Sequence, residues 1–273
     1  MYLITSDEQL RPYLPNALKT VAGEMSFFDK LSADLHASEV WITAHFIAPA
    51  LLETLAEEQK EVALTLTRRI VVSDALLRAV PQLDLVLTPN GFGIVSNQNV
   101  VPASKDRVDR LMANLELVRD RALQELLPML PTIPDWAQAS YFGATLFPFL
   151  DIAPLLGQRD HFWARHQDYQ PRLVQMEQEL ADKFISTALY QRLRLAQLNG
   201  SYSIVEADLI NRLRAVELAL LRGEPLPIHE LHSMVTLIRS NPEDFPEWAT
   251  SSTAALYTDQ SFHNKKQSSG YWF

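Results

Sequence analysis

Residues 88–104 read TPNGFGIVSNQNVVPAS, and here a chain of otherwise helical texture loses the helical period. The preceding run 83–87 is apolar with one charge, Pro89, Asn90 and Gly91 carry turn chemistry, and 92–96 resume in a strand-like register. The expectation is a β-hairpin in which 83–87 pair with 92–96 and Gly91 takes a positive φ at the turn. Pro102 ends the extended segment, and Ser104 is placed to cap a long helix starting near Lys105. A glycine-rich loop that runs into a helix also raises the question of phosphate binding, because free amides at a helix start attract anions. The spacing answers it: Gly91-Phe92-Gly93 is followed neither by the third glycine of a dinucleotide site nor by Gly-Lys-Ser/Thr, and the helix starts too far away.

Outward from this stretch the composition is that of helices closed by prolines. Of 273 residues 47% are hydrophobic, and 16 prolines against 8 glycines leave little room for a sandwich or barrel. An all-α chain of one large domain or two ordinary ones is expected. Cysteine is absent, which removes disulfides, thiolate metal sites and cysteine nucleophiles. The net charge of −9 disfavours sequence-independent binding to nucleic acid, and the arginines alternate with acids as solvated helix faces do. No segment approaches the ~20 apolar residues that span a bilayer, and no secretory leader is evident, so a soluble chain, cytoplasmic at synthesis, is expected.

Before the hairpin, Ser6 or Asp7 caps a short first helix. A second runs from Phe27 and continues through a kink at Pro49 to Leu55, and a third carries Val62, Leu66, Ile70, Ala75 and Leu76 as a buried stripe. After it, 105–127 form an amphipathic helix with Val108, Leu111, Met112, Leu115, Val118, Ala122 and Leu126 on one face. Pro128, Pro131 and Pro134 then mark the expected boundary between domains.

The second half reads as a repeat of the first. FIAPALLETL at 46–55 aligns with FISTALYQRL at 184–193, and RRIVVSDALLR at 68–78 aligns with RLRAVELALLR at 212–222. The expected class is therefore two tandem similar helical units with one small β-hairpin inserted in the first. The units are 1–133, with the hairpin at about 83–97, and 134–249, followed by an extended tail over 250–273. Phe46 and Phe184 are expected to be equivalent and buried. The tail ends in aromatics large enough to favour burial against something, so Phe262, Tyr271, Trp272 and Phe273, with Gly91, Phe92, Gly93 and Ile94 of the hairpin, are the candidate interface.

Candidate chemistry is thin. His229-Glu230-Leu231-His232 lacks the full-turn spacing of the HExxH zinc motif and has no third ligand, and acidic pairs such as Glu206 with Asp208 lie among arginines as surface ion pairs do. No serine elbow, EF-hand or kinase signature is present. No cofactor, metal or catalytic residue is assigned, and an enzyme is not expected.

GFGIVSNQNVVPASKDRVDRL at 91–111 and NKKQSSGYWF at 264–273 resemble an uncharacterised family of Bacteroidales genomes and their prophages. Its helical layout is similar to the head-tail connector, or head-completion, proteins of tailed phages, helical subunits that form a ring beneath the portal. The resemblance implies a structural protein that forms homo-oligomers, meets portal or tail proteins and ends in the virion. A cytoplasmic protein-binding scaffold unrelated to virions, or a cryptic hydrolase or nuclease, are the alternatives.

Overall fold

Serines set the starts of many helices. The computed structural model describes residues 3–15, 25–57, 61–82, 85–88, 91–94, 104–132, 145–157 and 160–257. In it α1 (Asp7–Leu10) follows Ser6, and α2 (Phe27–His45) follows Ser26, whose hydroxyl accepts from the Asp29 amide at 3.0 Å. α2 stops at His45, and α3 (Pro49–Glu57) starts afresh with Pro49 as its first residue. The expected kinked helix is thus two helices, because a proline without an amide fits the first turn, where no amide partner exists. α4 (Glu61–Ala79) ends in a 3-10 turn at Val80–Gln82, and α5 (Lys105–Leu126) runs into another at Leu127–Thr132. Ser104 does precede α5, but its side chain makes no capping bond; its carbonyl accepts from Arg107 and Val108 instead.

Twelve α-helices are present among the described residues, and the chain divides into two compact units, Met1–Arg172 and Leu173–Phe273. The first is built on α4. Residues 70–76 of α4, IVVSDAL, are buried in unbroken succession over two turns, so no face of the helix meets water there. α2 and α5 pack against it. Leu31, Leu35 and Ile42 come from α2, and Leu115, Ala122, Leu123 and Leu126 from α5. α6 (Phe149–Leu155) and the start of α7 (Phe162–Leu180) complete this unit, and the division falls within α7 beside Pro171.

In the second unit α7 passes into a π-helical turn, Ala181–Ile185, and Ser186 leaves it at φ 70°. Such a conformation is sterically disfavoured for a residue with a side chain, and here the Ser186 hydroxyl accepts from the Leu189 amide and starts α8 (Thr187–Asn199). Gly200, at φ 62°, ends α8 in the left-handed region. Ser203 and Glu206 then form a reciprocal capping box, Ser203 N–H to Glu206 at 2.7 Å and Glu206 N–H to Ser203 at 3.2 Å, that opens α9 (Ile204–Leu221). α10 (Ile228–Ser240) packs on α9, and α11 (Pro246–Ala249) and α12 (Ser252–Leu256) follow. Leu189, Leu193, Leu209, Leu213, Met234 and Phe245 are in its core.

The expected class needs correction. The fold is an all-α assembly, and its two halves are not similar units. Phe46 lies wholly buried at the end of α2, whereas Phe184 is half-buried within a π turn. The aligned blocks 68–78 and 212–222 share buried Val72 and Val216 but differ in burial towards their ends. Ala75 and Leu76 are buried and Leu77 half-buried, whereas Ala219 and Leu220 are half-buried and Leu221 is buried. One residue is about 100° of helix, so the same letters face different ways. Leu and Ala recur in any helix that buries a stripe, which explains the shared letters without a shared structure.

The ladder at the inserted stretch is shorter than expected, and its turn is not at Gly91. Two four-residue strands, β1 (Leu85–Thr88) and β2 (Gly91–Ile94), pair antiparallel with Leu85 opposite Ile94 and Thr88 opposite Gly91. Gly91 is a strand residue and not the turn, and this single ladder adds no layer to the helical architecture. The unit division at Arg172 also differs from the proline-rich stretch at 128–134, and residues 252–256 of the expected tail are helical.

Candidate functional site

The side chain with most to explain in the first unit is Asp74, a carboxylate in the middle of the buried stretch of α4. Its Oδ2 accepts from Ser38 Oγ of α2 at 2.8 Å and from Arg78 Nε at 2.8 Å, and its Oδ1 accepts from Arg119 Nη1 of α5 at 3.3 Å. Three helices are tied at one carboxylate. Arg119 turns its other side to Asp120, donating from Nε at 3.0 Å and Nη2 at 2.9 Å, and lies 5.9 Å from the Trp41 ring centroid. Asp120 also accepts, at 3.4 Å, from the amide of Trp163 in the first turn of α7, whose free amides favour an acidic partner. Burial pushes the Asp120 carboxyl up from its ordinary value, and the Arg119 charge pulls it back.

Beside this cluster is a nest of rings. Trp163 meets Trp41 edge-on at 5.1 Å, Phe46 at 5.2 Å and His45 at 5.1 Å, and stacks on His166 at 5.2 Å. His166 also faces Phe149. Burial, with the neighbouring His45 second, pushes the His166 imidazole down to about 4, and burial lowers His45 as well. Both rings are therefore neutral at physiological pH.

The second unit has its own buried polar group. Glu177 of α7 accepts a hydrogen bond from the Tyr190 hydroxyl of α8, and Glu217 of α9 is near enough to raise its neighbour's energy and its own. Glu177 and Glu217 are each 1% exposed. Burial first, and the Glu177 charge second, push the Glu217 carboxyl well above its ordinary value, while Arg214 opposes them; the Tyr190 hydroxyl is raised too. Two carboxylates in one dry site cannot both ionise cheaply, so the Glu217 carboxyl keeps its proton to higher pH than an ordinary glutamate does. The sign of the consequence follows. A carboxyl whose folded value is raised stabilises fully below its ordinary value of 4.5, and that contribution is lost as pH rises through the elevated value. Stability of this unit should therefore fall as pH rises from 4.5, and Glu217→Gln should remove that slope in thermal melts. Equal slopes in both chains would refute a raised Glu217 carboxyl.

The π turn is latched by the segment after α10. Opening a π turn shifts carbonyls out of the α-helical pattern, and three consecutive ones find donors there. Thr253 Oγ1 donates to Asp182 O at 3.1 Å, Tyr257 Oη to Lys183 O at 2.9 Å, and Trp248 Nε1 to Phe184 O at 2.9 Å. Arg192 of α8 holds the same segment, pairing with Glu206 and with Glu247 at 2.9 Å and donating to the Asp244 carbonyl at 2.6 Å. A groove of about 260 Å³ lies on this segment, lined by Ile238, Arg239, Phe245, Trp248 and Tyr257 among others.

Of the residues singled out from the sequence, Gly91, Phe92, Gly93 and Ile94 form β2, described by its backbone, and Phe262, Tyr271, Trp272 and Phe273 lie outside the described residues. His229 and His232 line an open cleft of about 510 Å³ with Arg212, Ser233 and Thr236. Among the described residues no three His, Asp or Glu side chains are grouped to hold a metal ion, and no helix is long and apolar enough to cross a membrane. Sequence reasoning missed Asp74, Arg119, Asp120, Glu177 and Glu217. The usable signal was position: Asp74 interrupts an apolar run, and Glu217 follows Val216 on the buried stripe of α9.

Residues 16–145 match a family of unknown function, DUF6712. The match covers just under half of the chain and falls within the first unit, so that portion is similar to the family. No curated protein and no solved structure matches.

Proposed function

We propose that this chain is a non-enzymatic assembly protein, a connector or adaptor comparable to the head-completion proteins of tailed phages, that self-associates and meets portal or tail proteins. The observation that carries an assembly role is the exposure of large apolar side chains on both sides of the α8–α9 turn. Leu195 is 55% exposed, Tyr202 44% and Ile204 90%, all within ten residues of sequence. Single exposed apolar residues are ordinary, but a local group of large ones is a surface that gains by being covered. Covering Ile204 and Leu195 would contribute on the order of 1.5 to 3 kcal/mol each. The buried polar clusters support the reading from the other side, because Asp120, Glu177 and Glu217 are sealed from solvent and offer no substrate an approach. The phage context rests on the resemblance carried by residues 91–111 and 264–273, and it would place the protein in the cytoplasm at synthesis and in the virion after assembly.

The test is sedimentation velocity over a concentration series. Leu195→Asp with Ile204→Asp, both at exposed positions, should leave helical circular dichroism unchanged and weaken self-association about a hundredfold, which corresponds to ~3 kcal/mol. A chain that is monomeric at every concentration, or a variant that associates as well as the parent, would remove this surface from the assembly reading. Co-sedimentation with a portal protein encoded beside the same gene tests the connector role separately.

A further inference from the structure

We propose that the groove on the segment after α10 is the seat of the chain's own Trp272, with Tyr271 and Phe273 at its rim. The walls say what the seat accepts. Phe245 and Ile238 are closed off beneath it, and Trp248 and Tyr257 present rings whose polar ends are already committed, the indole N–H to Phe184 O and the hydroxyl to Lys183 O. An occupant finds ring faces and no free hydrogen-bonding group from either aromatic, so it must itself be apolar or aromatic. The space, about 260 Å³, is below the usual range for a metabolite site and suits a large side chain.

The rim selects further. Arg239 is exposed on the last turn of α10 and makes no ion pair among the described residues, and a guanidinium stacks best on an indole. Glu243, also exposed and without an ion pair among them, follows Pro242, which lines the groove. The segment that follows Tyr257 offers the complement to each of these features: Trp272 between two aromatics for the rings and Arg239, and Lys265-Lys266 for Glu243. Tyr257 lines the groove and Trp272 lies fifteen positions beyond it, so reach is not limiting at about 3.3 Å per extended residue. A tether of that length holds Trp272 at an effective concentration on the order of millimolar, which favours seating within one chain over seating on a second copy at micromolar protein. This seat and the α8–α9 turn are different surfaces, so it does not depend on the assembly role proposed above.

The chain has no cysteine, which allows a direct test on the full-length protein. Ser240→Cys, at the exposed end of α10, and Ser268→Cys are introduced together and joined with a short bismaleimide at micromolar protein. An intramolecular cross-link is expected, forming about tenfold faster than in the same chain carrying Trp272→Ala. Equal rates with and without Trp272 would overturn the proposal, as would cross-links found only between copies, which would assign the seat to a second chain.

Discussion

Replacing Arg119 with methionine is expected to destabilise the first unit by about 3 to 5 kcal/mol, the cost of breaking a buried ion pair from one side. Arg119 is 8% exposed, Asp74 5% and Asp120 1%, so neither carboxylate can turn to bulk water when the guanidinium is removed. Their losses differ. Asp74 keeps Ser38 and Arg78 as partners, whereas among the described residues Asp120 keeps only the 3.4 Å bond from the Trp163 amide. The uncompensated charge is therefore chiefly that of Asp120. Adding Asp120→Asn to Arg119→Met should recover about 2 kcal/mol, because the amide is neutral yet still accepts from Trp163. Urea denaturation of the four chains forms the cycle, and a single variant that loses under 1 kcal/mol would show that the cluster is not holding α4, α5 and α7 together.

This cluster also shows what the sequence could and could not disclose. Helix starts were legible where serines act locally, as Ser6 and Ser104 precede α1 and α5, whereas the start at Pro49 was hidden because the apolar period runs on through it. The stripe of α5 was legible from its period, yet nothing in that period marks Arg119 and Asp120 as buried, because charge predicts exposure for a helix considered by itself. Their burial depends on Asp74, 45 positions away, and on the first turn of α7, which no local pattern can report. The apparent repeat failed for a related reason. Letters set how much of a helix is buried, but its neighbours set which way, and α4 is enclosed by α2 and α5 where α9 packs on α10. The π turn had no signal at all, since its stabilising donors Trp248, Thr253 and Tyr257 follow it by more than sixty residues.

Acid should loosen the first unit through His166, with His45, also lowered by burial, acting in the same direction. His166 is 7% exposed, stacked on Trp163 with Phe149 tilted against it, and its imidazole is pushed down from 6.5 to about 4, by burial first and by His45 second. The unfolded chain binds a proton at the ordinary value and the folded chain does not until the lower one. Between pH 6.5 and about 4 the unfolded state therefore holds more protons, and stability falls as pH falls through that window. A shift of this size corresponds to about 3 kcal/mol when the window has been crossed, with nothing gained or lost through this group above it. His166→Phe keeps a ring against Trp163 and cannot titrate. Its stability at neutral pH measures the packing of the new ring, whereas the difference in slope between the two chains isolates the proton, because every other titrating group is common to both. Denaturant midpoints at intervals from pH 7 to pH 4 should fall more steeply for the parent than for the variant. Parallel curves would mean that His166 reaches water in the folded chain, and the stacked ring nest would then not be the sealed element that these distances describe.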